Sequence, residues 1–237
     1  MCIRDSLNTI VAESLRQYAD ELEQAEDFQI ALNKLIRRTI KKHKRIVFNG
    51  NNYSEAWKAE AKARGLLHLP TAVDAIPCFA SEKNIATFER HGVFKRQEIE
   101  SRCEIMLADY VKKINIEALT MVEMAKREIL PAGFAYQKDL ASLALSKKQL
   151  GVSTDTEVEL LRAVDEHCAR ISALTEKLRV ADAALREQGR IYDRAVYCKD
   201  ILLPIMAELR VVADELETMC GKQYWLYPTY GKLLFNI

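Results

Sequence analysis

The chain has 237 residues, 49% of them hydrophobic and 29% charged, so it can bury a core and is not a disordered tail. Its 35 Lys and Arg against 34 Asp and Glu leave a formal charge of +1, which gives no global pull toward nucleic acid or an anionic membrane. No apolar run approaches the roughly 20 residues of a membrane span, Met1–Ser6 holds no apolar signal core, and the 8 Gly and 5 Pro are too few for many strands joined by tight turns. The composition reads as soluble, cytoplasmic and helical.

Apolar spacing is helical almost throughout. Leu7, Ile10, Val11, Leu15, Tyr18 and Leu22 form a first stripe, and Phe28, Ala31, Leu32, Leu35, Ile36 and Ile40 a second. The bases Lys34, Arg37, Arg38, Lys41, Lys42, Lys44 and Arg45 crowd toward the end of the second helix, where they favour its dipole. Asn49-Gly50-Asn51-Asn52 then breaks the chain. Ser54 opens a short helix that Gly65 stops, Thr71 starts a helical turn inside a Pro-bearing loop over 66–80, and Ser81 caps a helix ending at Gly92. A long helix is predicted from Lys95 to Leu130, ended or kinked by Pro131 and Gly133, and another from Phe134 to about Leu150.

Beyond Gly151, Leu161, Val164, Cys168, Ile171, Leu174, Leu178, Ala181 and Leu185 recur mostly at threes and fours, the seam of a two-helix coiled coil. After Gly189 the period returns in Leu202, Met206, Leu209, Ala213 and Leu216, with Pro204 expected to bend that arm. The expected fold is all-α: a multi-helix bundle with a long antiparallel, coiled-coil-like hairpin at about 155–220. A non-helical aromatic strap, Tyr224 to Gly231, follows it within the tail 223–237.

Candidate chemistry is sparse. Cys2, Cys78, Cys103, Cys168, Cys198 and Cys220 form no CxxC pair and read as reduced, mostly buried thiols. No glycine pair is close enough for a phosphate-cradling loop, and His43, His68, His91 and His167 are too dispersed for an HExxH helix. The basic run Lys34–Arg45 has no interleaved aromatic and follows an acidic segment, so a solvated helix end outweighs a phosphate-binding patch. Glu166-His167-Cys168 points in three directions on a helix, which favours packing over catalysis. Glu117, Glu123 and Glu128 read as solvated carboxylates, Asn49–Asn52 as a plain connection, and Trp225–Tyr230 as an intramolecular cover rather than a partner-binding peptide. No catalytic, cofactor-binding or metal-ligating residue is assigned.

Five separated stretches resemble type III glutamine synthetase: Leu7-Asn8-Thr9-Ile10-Val11-Ala12-Glu13-Ser14; Phe48-Asn49-Gly50-Asn51-Asn52-Tyr53-Ser54-Glu55; Ser101-Arg102 with Glu104; Ile114-Asn115-Ile116-Glu117-Ala118-Leu119-Thr120-Met121; and Tyr227-Pro228-Thr229-Tyr230-Gly231 with Leu233-Leu234-Phe235. The resemblance implies an enzyme family that joins ammonia to glutamate with ATP and Mg or Mn in large cytoplasmic rings. It also implies that metal-binding and nucleotide-binding motifs belong upstream of Leu7. On that basis residues 7–48 correspond to the last helices of the catalytic domain and 49–237 to the helical C-terminal domain. This chain alone is then expected to be inactive, without cofactor of its own, structural or oligomer-forming, and free of nucleic-acid and membrane partners. Residues 1–6 do not match the family and resemble translated adapter sequence, as at the head of a truncated gene. The apolar face of residues 7–22 is expected to lie uncovered and to favour self-association. Two other readings are a free-standing helical scaffold working through the hairpin and a nucleic-acid module built on residues 34–45.

Overall fold

The computed structural model describes residues 3–228 and 230–235, and among these there is no strand. The chain forms two compact units that divide within one long helix, the first reaching Met106 and the second starting at Leu107.

In the first unit, α1 (Ile3–Leu22) is followed by α2 (Phe28–His43), whose amino end is capped by the Asp27 carboxylate accepting from the Ile30 N–H. A 3₁₀ turn, Lys44–Ile46, leads into a loop where the Phe48 and Trp57 rings stack 4.1 Å apart. Arg64 pins this loop by donating to the carbonyls of Arg45 and Val47. α3 (Glu55–Ala63) is capped by Ser54 and α4 (Ala72–Phe79) by Thr71, each accepting from the N–H three residues on. Gly65 and Gly92 take φ of 70° and 63° just past α3 and α5 (Glu82–Arg90), the left-handed close that glycine permits. Ser81 sits at the α5 cap position but makes no side-chain capping bond. The core of this unit is small: Phe79, Ile85, Phe88, Ile99 and Cys103, with Phe79 and Phe88 meeting edge to face at 5.4 Å.

The second unit is built from three helical paths. α6 (Arg96–Met124) passes through a π-helical turn, Ala125–Ile129, straight into α7 (Leu130–Gln149). Of the two outcomes expected at Pro131 and Gly133, an end to the helix is therefore corrected: the helical path runs on to Gln149. A π turn reaches back five residues for its hydrogen bond, and this widening accommodates the proline ring and its missing donor. The same device precedes Pro204, where π turn Cys198–Leu202 joins α9 (Ile191–Tyr197) to α10 (Leu203–Met219).

Between these paths lies α8 (Asp155–Leu185). Asn115, Gln137 and Lys147 bond Asp182, Asp165 and Glu157 respectively, so α6–α7 runs antiparallel to α8 along its length. His167 and Arg170 reach Glu215 and Glu208, so α10 is antiparallel to α8 as well. Most of the expected seam lies in the core: Val164, Cys168, Ile171, Leu178, Leu202 and Leu216 are essentially inaccessible, Val212 joins them, and Leu161 is half-buried. Each large aliphatic side chain among them contributes about 1.5–3 kcal/mol by leaving water.

Two boundaries of the sequence reading change. Ile3–Ser6 continue α1, while Met1 and Cys2 lie outside the described residues. The strap is non-helical only as far as Pro228; Tyr230–Leu234 forms α11, and Thr229, Asn236 and Ile237 lie outside the described residues.

Candidate functional site

In the first unit, α1 turns Ser6, Thr9 and Glu13 inward at 2%, 4% and 8% exposure. Glu13 is the hub. Its carboxylate accepts from the Arg16 guanidinium at 3.1 and 3.2 Å, from the Gln17 amide at 2.7 Å and from Arg90 at 2.5 Å, and it pairs with His91 Nε2 at 2.8 Å. The Arg16 guanidinium, with the Gln17 amide and the His91 ring, holds this carboxyl far below the usual carboxylate range despite its burial. Both oxygens are thus committed to donors from α1 and from the end of α5. A cavity of about 610 Å³ opens beside them, with Arg38, Lys42 and His43 of α2 on its wall.

In the second unit a groove of about 1080 Å³ runs between the α6 end with its π turn and α10. Met121, Met124 and Met206 line it, and Trp225, Tyr227 and Pro228 of the strap form part of its wall. Trp225 and Tyr227 pack on the core, with the Trp225 Nε1 buried and without a hydrogen-bond partner. Burial, with the Glu128 carboxylate adding to it, pushes the Tyr227 phenol up.

The residues singled out from sequence do not converge. Glu166 is exposed, His167 contacts the Ala163 carbonyl and Glu215, and Cys168 is buried in the seam with its thiol pushed up to about 11 by burial. Glu123 pairs with Arg127 at 2.7 Å, Glu117 is exposed, and Glu128 lies near the strap. Asn51 accepts from the Tyr53 N–H and shapes the loop. In the basic run, Arg38 pairs with Glu21 across to α1, while Lys34, Arg37, Lys41, Lys44 and Arg45 are exposed. Cys103, Cys198 and Cys220 are buried, Cys78 is exposed, and Cys2 lies outside the described residues. Among the described residues no three His, Cys, Asp or Glu side chains gather as a metal site would require.

Sequence reading passed over the Glu13 hub. The signal available was local: Ser6, Thr9 and Glu13 share one helical face, and Arg16 and Gln17 stand three and four residues beyond Glu13. Arg90 and His91, far along the chain, carried no such signal.

Known glutamine synthetases align with the chain. It is 34% identical over 239 residues to a glutamine synthetase of Butyrivibrio fibrisolvens, an alignment covering 100% of this chain and 33% of that protein. It is equally 34% identical over 239 residues to the type-3 glutamine synthetase of Dictyostelium discoideum, covering 97% of this chain and 32% of that one. A glutamine synthetase of Bacteroides fragilis (strain YCH46) aligns at 24% over 241 residues. The glutamine synthetase C-terminal domain family matches residues 31–148. The chain is a relative of the type III glutamine synthetases. It spans about a third of the length of the curated relatives it matches. The glutamine synthetase C-terminal match begins within α2 and ends within α7, so it takes in residues of both compact units. The α8–α10 hairpin, the strap and Glu13 with Arg16 and Gln17 fall outside it, although the alignments to whole glutamine synthetases extend over them, while the hub's other partners, Arg90 and His91, lie inside it.

Proposed function

We propose that this chain is the helical C-terminal part of a type III glutamine synthetase, and that it supports the enzyme's assembly rather than its chemistry. The observation carrying this reading is the alignment of the whole chain to a third of each glutamine synthetase, together with the C-terminal domain match. The complete protein would ligate ammonia to glutamate at the expense of ATP with Mg or Mn, assimilating nitrogen in the cytoplasm as a homo-oligomer of stacked rings. Residues 7–48 would close the catalytic domain and 49–237 form the helical C-terminal domain.

The residues present do not fit an ATP–metal site. Such a site needs convergent carboxylates with free oxygen lone pairs and donors aimed at phosphates. Here Glu13, the most buried of the described glutamates, has its oxygens engaged by Arg16, Gln17, Arg90 and His91, and Glu123 is engaged by Arg127. No step of the ligation is routed through this chain. No described helix is long and apolar enough to cross a membrane.

The test is glutamine formation from glutamate, ammonia and ATP with Mg or Mn. The 237-residue chain is expected to match the no-enzyme blank. A fusion joining it to the upstream part of the Butyrivibrio fibrisolvens enzyme is expected to turn over. Glutamine made by the isolated chain would overturn the division of labour; an inert but folded fusion would count against the reading of the complete protein.

A further inference from the structure

The outward face of α1 is apolar and its inward face polar, the reverse of a helix at home on a surface. At about 3.6 residues per turn, Leu7, Val11 and Leu15 sit opposite Ser6, Thr9 and Glu13. Leu7, Ile10, Val11 and Leu15 are 53–61% exposed. On α2, Phe28, Ile36 and Ile40 are exposed as well. The ion pair between Arg38 of α2 and Glu21 of α1 holds the two helices side by side.

We infer that the outward face of α1, with Val11 and Leu15 at its centre, is a docking surface for the part of the same polypeptide that in the relatives precedes the matched third. The inference rests on the glutamine synthetase reading above. Three observations choose this occupant. The relatives are about three times as long as the stretch they share with this chain. The family match is to a C-terminal domain, which sets the remaining length ahead of it. And the apolar face belongs to α1, the helix nearest in sequence to that segment. The buried hub fixes the orientation: with Glu13 tied to Arg90 and His91 of the α5 end, α1 cannot roll its apolar side inward without stripping a carboxylate of its donors. The helix is held in the pose that presents Leu7, Ile10, Val11 and Leu15 to a partner.

The experiment compares Val11→Asp/Leu15→Asp with the parent in two settings, the 237-residue chain and the fusion to the upstream part of the Butyrivibrio fibrisolvens enzyme. In the isolated chain the substitutions touch exposed positions. The thermal midpoint is expected to stay within about 2 °C, and binding of a hydrophobic dye to fall at least twofold. In the fusion the same substitutions bury two charges, and the midpoint is expected to drop by more than about 5 °C. Equal midpoint changes in the two settings overturn the inference. So does unchanged dye binding in the isolated chain, a readout that stands even where the fused variant fails to fold. An isolated chain that is dimeric, and becomes monomeric on substitution, assigns the face to a second copy and overturns it too. The contrast in midpoints supports docking whether or not the fusion makes glutamine, so this inference and the enzyme reading fail separately.

Discussion

Gly133 sits inside α7, buried, where a helix interior ordinarily favours alanine. Replacing it by alanine gains about 1 kcal/mol of helix propensity. The new Cβ would stand 2.5 Å from Cys168 Sγ and 3.5 Å from Leu216 Cδ2. The first distance is far inside van der Waals contact, and Cys168 lies in the middle of the α8 seam with no exposed space to retreat into. Overpacking of this kind costs about 1–3 kcal/mol. Gly133→Ala is therefore expected to destabilise by up to about 2 kcal/mol after the propensity gain. Cys168→Ala alone, which removes the sulfur and leaves a small void, should cost about 1 kcal/mol. In the double variant the methyl of residue 133 occupies the space the sulfur leaves, so its stability should return to within about 0.5 kcal/mol of the parent. The non-additivity would then be at least about 0.5 kcal/mol. Urea unfolding followed by helical circular dichroism measures all four corners of the cycle. A Gly133→Ala chain more stable than the parent, or a double variant equal to the sum of the singles, would refute the close approach of α7 and α8.

Asn115 donates to the buried Asp182 carboxylate at 2.5 Å; Asn115→Ala should destabilise by about 1–3 kcal/mol, the range for stripping a buried acceptor of a partner, and an unchanged urea midpoint would contradict it. Glu13 has its folded pKa lowered from the ordinary 4.5, so its contribution is fully present above that value and is lost as pH falls through the folded pKa. Thermal melts should show Glu13→Gln less stable than the parent at pH 7, with the gap narrowing steadily below pH about 4.5; a gap constant down to pH 3 would remove the charge from the explanation. Burial pushes the Cys103, Cys168, Cys198 and Cys220 thiols up, the second and third to about 11, whereas Cys78 is exposed. With Cys2 replaced by serine, a thiol reagent at pH 8 should modify Cys78 rapidly and the other four only on unfolding, and a fast reaction surviving Cys78→Ser would sink this assignment.

Much of the helical layout was legible because capping and periodicity are local. Ser54 opens a helix as read, Thr71 caps the full helix Ala72–Phe79 where only a helical turn was expected, and Gly65, Gly92 and Gly151 take the left-handed conformation just past the helices they close. The seam from Val164 to Leu216 was legible for the same reason: a three-and-four repeat states which side of a helix must leave water. The two prolines were legible as perturbations but not in what answers them. Pro131 could end or kink a helix and Pro204 bend one, yet a π turn just upstream of each absorbs the missing donor and the helical path continues, and a turn of that kind leaves no mark in composition.

The site-level features divide along the same line. Sequence alone determined the family, through separated motifs in order, and the helical class, through spacing that any isolated helix would also show. Only the tertiary structure decided that Glu13 is the hub of the first unit, because its partners Arg90 and His91 are joined to it by packing and not by periodicity. It likewise decided which face of α1 looks outward. The apolar stripe of that helix states that something must cover it, and the pairing of an opposite, polar face with α5 determines that the cover is not the rest of its own unit. Local propensity acts through bonds and near neighbours, whereas the choice between two faces of one helix is made by what the remainder of the chain offers each of them.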